Sequence, residues 1–119
     1  MEQSKAEFNE WLRVFTKELS LRSVKVFQKL PKTEEARILG KQFLRSATSV
    51  GANYRAACRA RSKAEYFAKL SICVEEADGV LYWLELLAEA GIFESSKLQP
   101  LHDDFLRVLT ILAKARKST

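Results

Sequence analysis

Glycine and proline are scarce in this chain. Four Gly and two Pro in 119 residues leave few places for tight turns, while Ala, Leu, Glu, Lys and Arg are abundant. That balance excludes a turn-dense all-β fold and favours long helices. Cysteine is equally rare: Cys58 and Cys73 lie on apolar helical segments without CxxC spacing, so buried free thiols are expected and neither a disulfide nor a metal site is. The one histidine, His102, stands beside Asp103 and Asp104, but neighbours on a helix point about 100° apart and form no compact ligand set. A surface or half-buried role is expected for it.

Other patterns are missing as well. No apolar stretch approaches the roughly 18 residues of a membrane span, and MEQSKAEFNEW lacks the charged-then-apolar order of a leader, so a cytoplasmic protein with no membrane partner is expected. There is no Gly-rich phosphate loop, no recommended Ser/His/Asp or Cys/His set, and no ExxH pair of the bundle di-metal type. The carboxylate pairs Glu75/Glu76 and Asp103/Asp104 are adjacent in sequence and point apart. No catalytic residue, metal, cofactor or enzymatic activity is expected.

What is present reads as one domain over residues 1–119, long enough to bury about two-thirds of its unfolded surface. A first helix from about Ser4 to Lys29 carries Phe8, Trp11, Leu12, Phe15, Leu19, Val26 and Phe27 on one side and ends before Pro31. Thr33 is the expected N-cap of a second, with Ala36, Leu39, Phe43, Ala47, Val50, Tyr54 and Ala57 on its apolar face. Ser62-Lys63-Ala64-Glu65 has the capping-box pattern and opens a third helix running to about Ala90, with Gly91 as its stop. Ser95 or Ser96 is expected to cap the fourth, whose buried stripe is Leu98, Leu101, Phe105, Val108, Leu109 and Leu112, with Pro100 near its first turn. Short connections make an all-α, antiparallel up-and-down four-helix bundle the economical solution.

Two stripes ask for partners. On the second helix Arg37, Lys41, Arg45, Arg55 and Arg59 fall within an arc of about 80°, opposite the apolar face. Arg61 and Lys63 continue the charge into the next turn. Between Arg37 and Lys69 the only acid is Glu65, whereas Leu70 to Ser96 contains no Lys or Arg. Such segregation creates a field that attracts phosphate, although a solvated helix face is the blander account of any single basic stripe. On the third helix VLYWL, residues 80 to 84, wraps apolar side chains most of the way round. Leu70, Cys73, Ala77, Val80, Leu81, Leu84 and Leu87, with Tyr66, fit an inner face. Ile72, Gly79, Trp83, Leu86 and Ala90 line a second seam, expected to be an oligomer interface bordered by Glu75, Asp78, Glu85 and Glu89. Those acids could meet the ridge of a neighbouring subunit.

The stretch RSATSVGANYRAACRARSKAEYFAKLSICVEEADGVLYWLELL, residues 45 to 87, resembles the four-helix bundle family encoded in intervening sequences of bacterial 23S rRNA genes. The resemblance rests on Ser49-Val50-Gly51-Ala52-Asn53, on Arg61-Ser62-Lys63, and on Glu65-Tyr66-Phe67 through Leu70-Ser71-Ile72, and LPKTEEARILGKQFLRSA extends it. That family is similar to the accessory variability protein of diversity-generating retroelements. The resemblance implies an antiparallel bundle assembled as a ring, a pentamer being the expected count. It also implies basic surface that, in the retroelement relatives, binds nucleic acid and a reverse transcriptase. Many relatives hold Glu where this chain has Ala56, which makes the local surface here more positive. The expectation is a non-enzymatic, ring-forming bundle that binds structured RNA, or a nucleoprotein, through Arg37, Lys41, Arg45, Arg55, Arg59, Arg61 and Lys63. The rival is a protein-only scaffold in which the ridge serves subunit contacts.

Overall fold

Helix boundaries follow from which residues satisfy the open backbone groups at each end. The computed structural model describes residues 4–119, and the first three residues of MEQSKAEFNEW lie outside it. Ser4 caps α1 (Lys5–Lys29) in a reciprocal box: its hydroxyl accepts from the Glu7 amide at 3.1 Å, and its own amide donates to the Glu7 carboxylate at 3.3 Å. The helix stops at Leu30 because Pro31 follows. Thr33 Oγ1 accepts from the Ala36 amide at 3.3 Å and starts α2 (Glu34–Cys58), as expected.

Ser62 starts α3 (Lys63–Glu89), accepting from the Glu65 amide at 3.0 Å. Only that half of the expected box forms, since the Glu65 carboxylate turns towards Arg61 at 3.9 Å. Gly91 ends this helix in the left-handed region, φ 71°, which lets the Ile92 and Phe93 amides both donate to the Leu87 carbonyl at 3.0 and 3.1 Å. Two expectations about α4 (Ser95–Lys117) are corrected. Its N-cap is Glu94 with no side-chain cap bond, and the Ser96 hydroxyl instead donates to the Glu94 carboxylate at 3.1 Å. Pro100 lies inside the helix, in its second turn, where its missing N–H leaves the carbonyl of exposed Ser96 to solvent.

The helices pack in chain order as an up-and-down bundle, α2 against α3 most closely, then α3 against α4 and α1 against α2. The α1–α4 edge is much the thinnest, and the body is correspondingly oblong, 44 × 30 × 20 Å. That edge is closed by an Arg22–Asp104 ion pair at 2.7 Å and by Arg107, whose guanidinium lies 5.4 Å from the Trp11 ring and 5.6 Å from Phe15. The core is built from Leu12, Leu19, Phe43, Val50, Tyr54, Leu70, Leu84, Leu87, Phe105 and Leu112.

On α1 the most buried line is Leu12, Thr16, Leu19 and Ser23, and the expected aromatics Phe8, Trp11, Phe15 and Phe27 flank it half-buried. Polar residues fit there because each hydroxyl donates to its own helix, Thr16 to the Leu12 carbonyl at 2.8 Å and Ser23 to Leu19 at 2.7 Å. Small residues then bring helices together. A Cβ on Gly51 would sit 3.3 Å from the Thr16 carbonyl oxygen, and one on Gly79 would sit 3.4 Å from Ser46 Oγ. Among the described residues no helix is long and apolar enough to cross a membrane.

Candidate nucleic-acid interface

The basic ridge of α2 is divided by its neighbours. Towards the C-terminal end of α2, Arg55 and Arg59 form one wall of a groove whose other wall is α1, with Arg13 and Lys17. Each pair is spaced i, i+4, so each wall carries two cations about 6 Å apart along its helix. Gly51, Ala52 and Ser20 lie between the walls, Val14 also lines the groove from α1, and its volume is about 620 Å³. It exists because the close approach of α1 and α2 at Gly51 is followed by Ala52, too small to fill the space between the walls.

Electrostatically the groove holds four cations against one carboxylate, Glu10. Glu10 pairs with Arg13, and that hydrogen bond is the main reason the Arg13 pKa is raised further. Lys17, Arg55 and Arg59 make no ion pair among the described residues. Beyond the end of α2, Arg61 and Lys63 border a shallow recess of about 370 Å³ with Lys5, Asn9 and Tyr66. The cationic surface therefore continues past the α2–α3 turn.

The other half of the ridge has different surroundings. Arg45 reaches across to α3 and pairs with Glu76 at 2.9 Å. Arg37 and Lys41 stand with Lys32 around a smaller hollow of about 280 Å³ whose walls are Phe27, Leu30, Pro31 and Ala36. The structure thus brings Arg55 and Arg59 together with two cations that sequence reasoning had not named, and sets Arg37, Lys41 and Arg45 apart from them. Arg13 and Lys17 share a helical face in the sequence. Only the pairing of α1 with α2 shows that this face borders the ridge.

The α3 seam is likewise split. Gly79 is turned to Ser46 within the chain, and Trp83 and Leu86 are half-buried, whereas Ile72 and Ala90 are exposed. Tyr82, outside the expected seam, is 56% exposed and meets Trp83 edge-on with ring centroids 5.1 Å apart. His102 is half-buried and its Nε2 lies 2.9 Å from the Glu85 carboxylate.

Burial sets the protonation of three groups in and beside the core. Burial pushes the Cys73 thiol up to about 12, and the thiol donates to the Val50 carbonyl at 3.6 Å. Burial also raises Tyr54, whose hydroxyl donates to Asn9 Oδ1 at 3.1 Å, and raises Tyr66. These groups stay neutral at ordinary pH.

Comparison with known proteins agrees with this architecture. A crystal structure of a protein of unknown function from the S23 ribosomal protein family, from Bacteroides thetaiotaomicron, superposes with a TM-score of 0.85 at 30% identity. The match covers 92% of this chain and 97% of that one. No curated protein matches the sequence. The sequence profile of the 23S rRNA-intervening sequence proteins matches residues 10–114, nearly the whole bundle, and the chain belongs to that family.

Proposed function

We propose that this chain is a non-enzymatic, self-associating helical bundle that holds the phosphate backbone of structured RNA in the groove between α1 and α2. The observation that carries the reading is the facing of Arg13 and Lys17 with Arg55 and Arg59 across Gly51, Ala52 and Ser20, with Glu10 the one acid lining the groove. Phosphates approaching such a surface displace counterions, and the affinity gained is independent of sequence. No aromatic side chain lines the groove, so nothing there offers a platform on which unpaired bases would stack. Backbone contact to a folded or double-stranded segment is the favoured mode. Arg61, Lys63 and Lys5 extend the track beyond the end of α2. The family's name, which ties it to 23S rRNA, is compatible with this setting.

The test is fluorescence anisotropy of a labelled hairpin RNA across 50 to 200 mM salt, with particle mass followed in the same samples. Replacing Lys17, Arg55 and Arg59 together by Ala is expected to lower the slope of log affinity on log salt by about three, near one for each phosphate contact. An unchanged slope would remove the groove from the reading.

A second reading, a protein-only scaffold in which the ridge serves subunit contacts, is favoured for one half of the ridge by one observation. Arg37 and Lys41 overhang an apolar hollow, a surface that suits a protein side chain better than a phosphate. If that reading held for the whole protein, Arg37→Ala with Lys41→Ala and Arg45→Ala would break the assembly, and no RNA would bind at low salt.

A further inference from the structure

Phe8, Trp11 and Phe15 follow one another along α1, centred roughly opposite Arg13 and Lys17 on the helix, and all three are only half-buried. The Phe8 and Trp11 ring centroids lie 6.0 Å apart, and Trp11 stacks on Phe15 at 5.4 Å with 12° between the planes. Arg107 and Ile111 of α4 face Phe8 and Trp11 across a recess of about 370 Å³ that no carboxylate lines. That volume falls within the roughly 300–1,000 Å³ of small-molecule sites. Large side chains help to bridge the thin α1–α4 edge, yet here they leave an open hollow with an aromatic wall.

The charges around the hollow are of one sign. Arg107 stands over Trp11 and Phe15, and from there α4 passes Ile111 and runs towards the start of α1. Arg107, Ile111 and Lys114 fall within an arc of about 60°. The two cations stand about 10 Å apart along the axis, one on either side of Ile111. Both are exposed, and neither forms an ion pair among the described residues. No acid occurs from Phe105 to Thr119. An aromatic wall with a cation at each end matches one nucleotide of a strand, a flat base with a phosphate on either side. A protein face fits poorly, because four lining residues fall far short of the roughly 20–30 that a stable interface uses on each side.

We propose that this recess takes one unpaired base of an RNA strand, stacked on Trp11 and Phe8, with its flanking phosphates at Arg107 and Lys114. The assignment rests on RNA as the ligand of the α1–α2 groove and adds the part of the strand that leaves the duplex. Groove and recess lie on opposite sides of α1, whose diameter with side chains is about 10–12 Å. Five nucleotides, at no less than about 3.4 Å each, cover that distance. Every base has a face to stack, so the site adds affinity without reading sequence.

The experiment compares three hairpin RNAs with one common stem: blunt, with a five-adenosine tail on each end, and with abasic tails of the same length and charge. Trp83→Phe leaves Trp11 as the one tryptophan, and affinity is read by anisotropy alongside Trp11 emission. The adenosine tails are expected to bind at least about fivefold tighter than the abasic tails and to quench Trp11. Trp11→Leu, checked for helicity by circular dichroism, should bring the adenosine-tailed hairpin down to the abasic level. Arg107→Ala with Lys114→Ala should weaken both tailed hairpins and leave the blunt one unchanged. Equal affinity for the two kinds of tail, or an unquenched Trp11, would overturn the stacking site, and a blunt hairpin that still binds would leave the groove standing. Tailed hairpins that bind while the blunt one does not would overturn the groove and keep the recess. Trp11 emission that changes with protein concentration before RNA is added would show a second copy covering the recess, and would overturn the site as well.

Discussion

Ala52→Glu is the substitution that most cleanly separates a phosphate groove from a merely basic helix face. Ala52 is exposed in the groove, between walls that carry Arg13 and Lys17 on α1 and Arg55 and Arg59 on α2. A glutamate there keeps every cation in place but offers an i, i+3 partner to Arg55 and an i, i+7 neighbour to Arg59. With Glu10 already paired to Arg13, four cations would then face two carboxylates where they now face one. At least one phosphate contact is lost to the new ion pair and another is weakened by repulsion, so the salt slope should fall by about one to two. Between 50 and 200 mM salt, a slope lower by two makes the variant lose about 16-fold less affinity than the wild type over the same range. The fold should not suffer, because a helix pair of this spacing stabilises by about 0.2–0.5 kcal/mol. Thermal melting by circular dichroism checks that half of the prediction, and anisotropy titrations checks the other, with Ala52→Gln as the uncharged control. Equal loss of affinity in the Gln and Glu variants would assign the effect to shape. An unchanged slope in the Glu variant would refute the groove.

Two further outcomes follow from the packing. Because the folded state holds the Cys73 thiol near 12 against an ordinary value of 9.0, its contribution is complete below about pH 9 and is lost as pH rises towards 12; raised Tyr54 and Tyr66 act in the same direction above pH 10. Alkaline unfolding should therefore steepen above pH 9, and Cys73→Val should remove the part beginning near 9, read from denaturant midpoints at a series of pH values. At the thin α1–α4 edge, Arg107→Ala removes a cation stacked on Trp11 and Phe15 and should cost about 0.5–1 kcal/mol. Hydrogen exchange should quicken in α1 and α4 before α2 and α3, and equal acceleration in all four helices would contradict that order.

The fold was legible wherever one residue type has one physical use. Thr33, Ser62, Pro31 and Gly91 mark helix ends because a side-chain acceptor, a missing N–H or a left-handed φ is needed there, and all four stand at helix ends, although Ser62 forms only its half of the expected box. The α2 stripe was also plain, Ala36, Phe43, Ala47, Val50, Tyr54 and Ala57 being buried. Legibility failed where a residue has two uses. Thr16 and Ser23 look like surface residues until their hydroxyls are seen bonding back to α1, and Ser95 looked like a cap although the backbone turns at Glu94. The candidate groove failed for a different reason. Arg55 and Arg59 stand out on one helix, but their significance depends on Arg13 and Lys17, and which face of α1 borders α2 is decided by the buried Thr16 line and by the close approach at Gly51. Tyr82 was hidden by its neighbour: within VLYWL the tryptophan draws attention, yet Trp83 is the half-buried residue and Tyr82 the exposed one.

The charge pattern makes sense when the two halves of the α2 ridge are treated separately. Had all five cations served a ring, the acids of α3 would need to face the whole length of α2, yet Glu76 already holds Arg45 within the chain and Glu85 is engaged by His102. The remaining exposed acids cluster around Tyr82, level with Lys41 and far from Arg55 and Arg59, which lie beyond Val50 towards the opposite end of the bundle. The four groove cations have only Glu10 as a lining acid. An unmatched cluster of like charge destabilises the folded chain through self-repulsion, so a polyanion that fills the groove should stabilise it. Saturating hairpin RNA should accordingly raise the melting temperature at 50 mM salt, and the shift should vanish in the Lys17, Arg55 and Arg59 triple alanine variant. A melting shift that persists in that variant would place the RNA outside the groove.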